Sequence, residues 1–339
     1  MEALTHLPVQ RPAFKLIYEG RDITVHLETM WSSLTYTDKL AGEADEIEIR
    51  LEDTDGHWIG DWMPRKGDRV QLALGYAGAP LLPCGWFEVD EVTTEGPPAE
   101  VSIKAISAAI SQSLRTRNSR AYETTTLAAL ARQVAAAHGL TVVGDIDPIP
   151  LQRVTQNQET DLAFLHRQAL RFGHLMSVRD QQLYFSRHEQ VLERSTVLTV
   201  RRDQLKRWSL RDKTAGVFRS VSVSYLDPKT NKLQEHTESD KALKDDAHAD
   251  TLKLTERAEN LTQARAMALA ALRNKNLQAV EGELTLIGDT RVLAGNNLDL
   301  VGMGGLSGKY QVRESRHTIT RNTGYEVAAQ VQRISTPTQ

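Results

Sequence analysis

The stretch Gly67-Asp68-Arg69-Val70-Gln71-Leu72-Ala73-Leu74 returns near the other end of the chain as Gly295-Asn296-Asn297-Leu298-Asp299-Leu300. A little further on, Gly85-Trp86-Phe87-Glu88-Val89-Asp90-Glu91 is echoed by Gly308-Lys309-Tyr310-Gln311-Val312-Arg313-Glu314. Each copy reads as a turn of Gly followed by Asp or Asn, an alternating strand, a loop, and a second strand. That second strand opens with Gly and carries an aromatic two residues on, then Val. The copies lie about 225 residues apart and keep their internal order. A chain with two similar β units presents six of them when three chains assemble. The repeat therefore marks a candidate adaptor between three-fold and six-fold partners.

Working outward, the first 110 or so residues read as β. Phe14-Lys15-Leu16-Ile17 and Ile23-Thr24-Val25-His26-Leu27 flank Glu19-Gly20-Arg21 as an expected hairpin. Ile47, Ile49 and Leu51 alternate with Glu46, Glu48 and Arg50 up to Asp55-Gly56, as do Val70, Leu72 and Leu74, and then Val101, Ile103 and Ala105. Short alternating strands between turn signals predict a barrel or sandwich.

The period changes between about 120 and 190. Leu127, Leu130, Val134 and Ala137 define one helical face, with threonines before them and Gly139 after. A strand at Leu140-Thr141-Val142-Val143 and a turn at Asp147-Pro148-Ile149-Pro150 follow. A second helix places Leu162, Leu165, Ala169 and Phe172 together, with Thr160 as N-cap and Gly173 just past its end. His174 to Val178 and Leu183-Tyr184-Phe185 predict a hairpin across Asp180-Gln181-Gln182.

β character resumes near 195. Val221, Val223 and Tyr225 alternate and run into a turn at Asp227-Pro228-Lys229-Thr230-Asn231, and the charged stretch 238–254 reads as a solvated loop. One helix follows at about 258–276, with Asn260 and Gln263 spaced as a capping box and Leu261, Ala268 and Leu272 on its buried side. The second β unit then ends in Tyr325-Glu326-Val327-Ala328-Ala329-Gln330-Val331. The expected fold is α+β and mainly β: two similar barrel-like units at 1–115 and 195–339, the second with the helix, around a small α/β unit at 116–194.

Size and charge restrict the function. A chain of 339 residues exceeds one ordinary core, so two or three domains are expected. A formal net charge of −3 gives no general pull toward nucleic acid or anionic membrane. No apolar run approaches the length of a membrane-spanning helix, and Met1-Glu2-Ala3-Leu4-Thr5-His6 lacks the pattern of a signal peptide. With Cys84 as its one cysteine, the chain fits synthesis in a reducing cytoplasm as a soluble product.

Chemistry-bearing constellations are scarce. His188-Glu189 is followed by Gln190-Val191-Leu192, so the second histidine of a zincin helix is missing. His166 and His174 straddle a helix end and read as partly exposed, non-converging residues. Cys84, in Leu82-Pro83-Cys84-Gly85, reads as a packing thiol with no base beside it. The run Gly302-Met303-Gly304-Gly305-Leu306-Ser307-Gly308 has its third glycine out of place for a dinucleotide fingerprint and sits between strands, so it reads as a β turn. Glu43-Ala44-Asp45-Glu46 and Lys244-Asp245-Asp246 read as solvated charge. No catalytic residue, cofactor or metal ligand is assigned, and the expectation is a protein that is not an enzyme.

The stretch Gln156-Asn157-Gln158-Glu159-Thr160-Asp161-Leu162-Ala163-Phe164-Leu165-His166-Arg167-Gln168-Ala169, continuing to Gly173 and Leu183-Tyr184-Phe185, resembles the signature of the phage late control protein D family. The same pattern occurs in the hub part of type VI secretion spike proteins. Asp45 to Ile49 and Pro64-Arg65-Lys66-Gly67-Asp68 through Gly75-Tyr76 are similar to that family's first barrel. Leu284 through Gly288-Asp289, Ala294-Gly295, Gly308-Lys309-Tyr310, His317 and Gly324-Tyr325 are similar to its second. The resemblance covers residues 14–335.

It implies a structural hub protein of a contractile tail's baseplate, located in the virion and assembled in the host cytoplasm. It implies a homotrimeric ring whose six barrels match one ring of the tail tube. The implied partners are a trimeric spike protein, a tail tube or tube-initiator protein and a tape-measure protein. DNA is expected only in transit through a lumen of negative charge, and no stable membrane association is expected. The chain stops at Gln339, so the spike is expected to be a separate polypeptide, and no stretch is left for a fused lysozyme or peptidase. The hub of a tail-like bacteriocin shares this geometry. The different-class alternative is a peptidoglycan-binding or wall-hydrolysing tail protein, from a faint likeness of residues 124–139 to a LysM unit.

Overall fold

Alternation of apolar and polar residues becomes a buried and a wet sheet face wherever the expected strands form. Ile47, Ile49 and Leu51 lie buried on Glu46–Glu52, Val70, Leu72 and Leu74 on Arg69–Tyr76, and Val101, Ile103 and Ala105 on Glu100–Ser107. The computed structural model describes residues 10–107, 116–179, 181–227, 230, 232–240 and 250–334. Met1 to His6, Asp180, Pro228, Lys229, Asn231 and Lys244-Asp245-Asp246 lie outside the described residues.

The two halves of the repeat have one strand order. In the first unit, neighbouring strands run Trp31–Lys39, Glu46–Glu52, Glu100–Ser107, Leu82–Glu95, Arg69–Tyr76, Pro12–Tyr18. In the second they run Leu205–Asp212, Val280–Ile287, Gly324–Arg333, Gly308–Thr320, Asn297–Val301, Thr196–Arg201. The match extends to irregularities. Trp31/Ser33 and Leu205/Arg207 carry a register shift against the next strand, and Val89/Glu91 and Val312/Glu314 carry another.

Turn contacts coincide as well. Gly67 N donates to Val89 O at 2.8 Å and Val89 N to Asp68 O at 2.9 Å, as Gly295 N does to Val312 O at 2.8 Å and Val312 N to Asn296 O at 2.9 Å. Gly67 and Gly295 hold φ of 91° and 85°, a region that a side chain disfavours. One difference breaks the correspondence. Pro12–Tyr18 pairs antiparallel with its neighbour, whereas Thr196–Arg201 pairs parallel.

The units are joined into one 13-stranded sheet. Gly308–Thr320 pairs with Asn297–Val301 through its first residues and with Trp31–Lys39 through Glu314 to Thr320. Among the described residues the hydrogen-bonded path stays open, and each unit has its own core. Leu34, Ile49, Leu72 and Phe87 anchor the first, which also takes Ile319 and Tyr325 from the second unit. Leu284, Leu298, Tyr310 and Val327 anchor the second.

A third core lies between them in sequence. Helices Leu127–Ala137 and Asp161–Arg171 begin with Thr126 and Thr160 side chains accepting from Ala129 N and Ala163 N, both at 3.1 Å. Strands His174–Arg179 and Gln182–Arg187 form the expected hairpin, and Thr141–Val143 adds in parallel. Strand Phe218–Asp227 and helix Leu261–Asn276 join this core, through Val221, Val223, Met267 and Leu272, not that of the second β unit.

Several expectations are corrected. Residues Thr24–Leu27 form a helical turn, not a strand: Asp22 Oδ1 accepts from Thr24 N, and Val25 is left exposed while Leu27 is buried. Within 238–254, Asp250–Lys253 is a strand beside Phe218–Asp227. Leu261 is exposed on its helix, where Ala264 and Met267 are buried instead. Asn260 caps that helix, but the Gln263 side chain accepts from Glu259 N, one residue before the cap.

Candidate functional site

The joint between the β units buries Thr37, Asp38, Asp45, Ser315 and His317. Along it Lys39 faces Glu314, Asp38 faces Ser315, Thr37 faces Arg316, Tyr36 faces His317 and Leu34 faces Ile319. Leu40 N donates to Arg313 O at 2.9 Å, continuing the ladder by one rung. His317 is fully buried and stacks on Tyr36. Its Nε2 lies 2.8 Å from Val292 O, which can only accept, so Nε2 carries the proton and Nδ1 accepts from the Tyr325 hydroxyl at 2.8 Å. Burial pushes the His317 pKa down to about 4.

Asp38 is the second buried group. It bonds to Arg179 of the middle unit and accepts from Ala294 N at 2.8 Å. Asp45 accepts from Lys39 N at 2.9 Å and lies 3.3 Å from Arg179 Nε. Burial drives both carboxyls upward, Asp45 adds repulsion at Asp38, and the Arg179 guanidinium opposes the rise. Three segments distant in sequence are thus tied at one point. These bonds lock the joint together.

The signature stretch also proves to be framework. Asp161 is buried and accepts from Gln156 Nε2 at 2.7 Å and Asn118 Nδ2 at 3.2 Å, with His138 Nε2 at 2.7 Å. Burial pushes its carboxyl up, but these hydrogen bonds outweigh it and hold the group below its ordinary range. The spacing from Gln156 to Asp161 is therefore that of a polar clamp at a helix start.

The residues weighed for chemistry do not converge. Cys84 is buried, and desolvation raises its thiol well above the ordinary value, so it is held as a thiol. His174 is almost wholly buried, not partly exposed: its Nδ1 meets Phe172 O at 2.8 Å and its Nε2 accepts from Asp147 N at 3.2 Å. His166 packs against Gly42, and His188 bonds to Gln311 Oε1 at 3.1 Å. Gly304–Leu306 is a short helical turn between two antiparallel strands. No group of three or more His, Cys, Asp or Glu among the described residues is placed to hold a metal. A cavity of about 310 Å³ inside the first unit is walled by Leu16, Leu27, Ile49, Trp58 and Val70 and offers no convergent polar groups. No helix among the described residues is long and apolar enough to cross a membrane.

Solved structures share this fold. The 43 kDa tail protein of prophage MuSo2 from Shewanella oneidensis superposes with a TM-score of 0.71 at 14% identity, covering 95% of this chain and 98% of its own. A protein of Escherichia coli described as a component of the type VI secretion system superposes at 0.56 and 11% identity, covering 95% and 77%. The fold is that of phage tail proteins. Residues 66–323 match the model of the phage tail baseplate hub (GPD) family, and the chain belongs to that family. The probable baseplate hub protein of Escherichia phage 186 is 33% identical over 230 residues, which is 66% of this chain. The match spans 58% of that relative's length.

Proposed function

We propose that three copies of the chain form a ring in which the two β units alternate around the axis. Such a ring joins a trimeric spike protein to the hexameric tail tube or its initiator. The observation that carries this reading is the joint itself. Two units of one strand order, sharing their register shifts, are held edge to edge by main-chain pairing within a single chain. That joint is one step of a rotation, and repeating it around an axis yields near-equivalent surfaces for a six-fold partner.

The three cores are the three units of this architecture: a β unit at each end, and a middle unit of 116–194 completed by strand Phe218–Asp227 and helix Leu261–Asn276. The sheet face turned away from both β cores carries Glu46, Glu48, Glu281, Glu283 and Glu326 beside Arg50, Lys104, Arg211 and Arg316, with Glu48 and Glu281 ion-paired on it. This face is assigned to the bore, whose lining is expected to carry net negative charge in the ring, so that DNA or a withdrawing tape-measure protein does not adhere. A basic bore in an assembled ring would overturn that assignment. The setting is a contractile tail, with assembly in the host cytoplasm.

Light scattering on the purified chain, alone and with the spike protein, tests the ring. The expected mass is about three times the 37.8 kDa of one chain, with any bound spike added. A monomer in both samples overturns the reading.

A further inference from the structure

The joint inside the chain has an unfilled counterpart on each β unit, and the two counterparts match each other. The equivalences follow from the registers. Glu314, which follows the register shift in Gly308–Thr320, corresponds to Glu91 in Leu82–Glu95. Ser33, which follows the shift in Trp31–Lys39, corresponds to Arg207 in Leu205–Asp212. In the filled joint, the residues from Glu314 onward receive Trp31–Lys39 on the edge left beyond Asn297–Val301. In the first unit, Arg69–Tyr76 likewise pairs with Leu82–Glu95 only as far as Glu88, and no strand among the described residues takes the edge from Glu91 to Glu95. At the other end of the sheet, Leu205–Asp212 pairs among the described residues with Val280–Ile287 on one side only.

We propose that Leu205–Asp212 of one chain pairs antiparallel with Glu91 to Glu95 of a second copy, making between chains the joint already made within one. This rests on the ring reading above. Carried over from the filled joint, the register sets Lys213 against Glu91, Arg211 against Thr93 and Ser209 against Glu95. The Glu–Lys pair at the head of the filled joint, Glu314 with Lys39, thereby recurs as Glu91 with Lys213.

The charges of the two edges are complementary, and they add to pairs already made within the chain, Arg211 and Lys213 with Glu281 and Glu91 with Lys104. One reads Glu88-Val89-Asp90-Glu91-Val92-Thr93-Thr94-Glu95, the other Leu205-Lys206-Arg207-Trp208-Ser209-Leu210-Arg211-Asp212-Lys213. Charge on an edge strand commonly serves only to prevent pairing. That purpose is met by any sign, whereas an acidic edge and a basic edge in matching register attract. Glu95 falls diagonally between Arg207 and Arg211, and Glu91 beside Arg211. Exposure agrees. Leu34 is fully buried at the filled joint, while Trp208 at the equivalent position is 39% exposed and awaits cover. The joint is head-to-tail, so it closes only when the rotation returns to its start, as in the three-chain ring.

Cysteines at Thr93 and Arg211 test the register, since directly opposed residues of antiparallel strands lie about 4.5–5.5 Å apart at Cα, within disulfide reach. The double variant T93C/R211C, oxidised mildly, is expected to give a covalent ladder ending at three chains. A mixture of the two single variants should give covalent dimers, and T93C/R207C should give none. A chain that assembles to the trimer mass without the 93–211 bond, or that bonds equally at 93–207, overturns the seam and leaves the ring reading standing. A chain that stays monomeric and unlinked, also with spike protein present, overturns both. In the same assay, R207E/R211E is expected to raise the concentration needed for assembly by about tenfold or more. Adding E91R/E95R should recover most of that loss. Equal assembly by wild type and R207E/R211E would overturn the charge pairing.

Discussion

The two β units share strand order, register shifts and turn hydrogen bonds, yet their leading edges have opposite fates. Trp31–Lys39 is covered inside the molecule by Glu314 to Thr320, with Leu34, Tyr36 and Asp38 buried. Leu205–Asp212 occupies the same place in the second unit and leaves most of its residues exposed. Sequence has followed environment. The covered strand carries Leu34-Thr35-Tyr36-Thr37-Asp38, while the uncovered one carries Trp208-Ser209-Leu210-Arg211-Asp212 flanked by Lys206, Arg207 and Lys213. A covered edge is selected for packing, and an uncovered one for solubility and choice of partner.

If the units are equivalent where they ought to be, their cores should respond alike. Phe87 and Tyr310 are matched and fully buried, so Phe87→Ala and Tyr310→Ala should each cost about 3–5 kcal/mol by urea unfolding. A loss confined to one of them would show that one core carries the fold. The lock at the filled joint has no equivalent at the exposed edge. Arg179→Met strands the buried Asp38 and should cost about 3 kcal/mol, the lower end for a broken buried pair because Arg179 is 35% exposed. Asp212→Asn, at the equivalent exposed position, should stay within about 0.5 kcal/mol.

Acid should remove the His317 contribution at the filled joint, while the raised carboxyls of Asp38 and Asp45 act in the opposite sense. The folded pKa of His317, about 4, lies below its ordinary 6.5, so the unfolded chain binds more protons between those values. The associated stability is complete above about pH 6.5 and is lost as pH falls through about 4, a change of about 3 kcal/mol. Urea midpoints at pH 7 and pH 4.5 should therefore fall less in His317→Gln than in the wild type. A smaller effect than that of His317 separates the matched aromatics. Tyr310 donates to Leu306 O at 2.7 Å, so Tyr310→Phe should cost about 1 kcal/mol, and any larger loss would mean that the 3₁₀ turn depends on that bond.

Elements with strong apolar periodicity were legible residue by residue. The strands around Ile47, Leu72 and Ile103, and the helices with Thr126 and Thr160 at their starts, appear where the pattern places them. Elements built from polar residues were not. Arg117–Thr126 and Pro150–Thr160 form an antiparallel ribbon in which Tyr122, Leu151, Val154 and Gln156 are among the few buried side chains. Lys232–Ser239 is nearly all exposed. With one face wet and the other sparsely covered, such strands show no usable period. Thr24–Leu27 failed for another reason: Ile23, Val25 and Leu27 alternate in sequence, but an i, i+4 contact satisfies the core with Val25 left outside.

The sequence by itself determined that there are two β units of one kind, because each turn and strand of the repeat is specified by local chemistry: glycine at positive φ, alternation, and a leading aromatic. It also determined the family, through motifs spread along the chain. Only the tertiary structure decided that Gly308–Thr320 divides its edge between two strands, that helix Leu261–Asn276 packs on the middle core, and that Asp38, Arg179 and His317 meet at one joint. Those facts depend on contacts between residues more than a hundred positions apart. Burial and main-chain pairing over such distances are set by how whole units pack, and no local pattern records them.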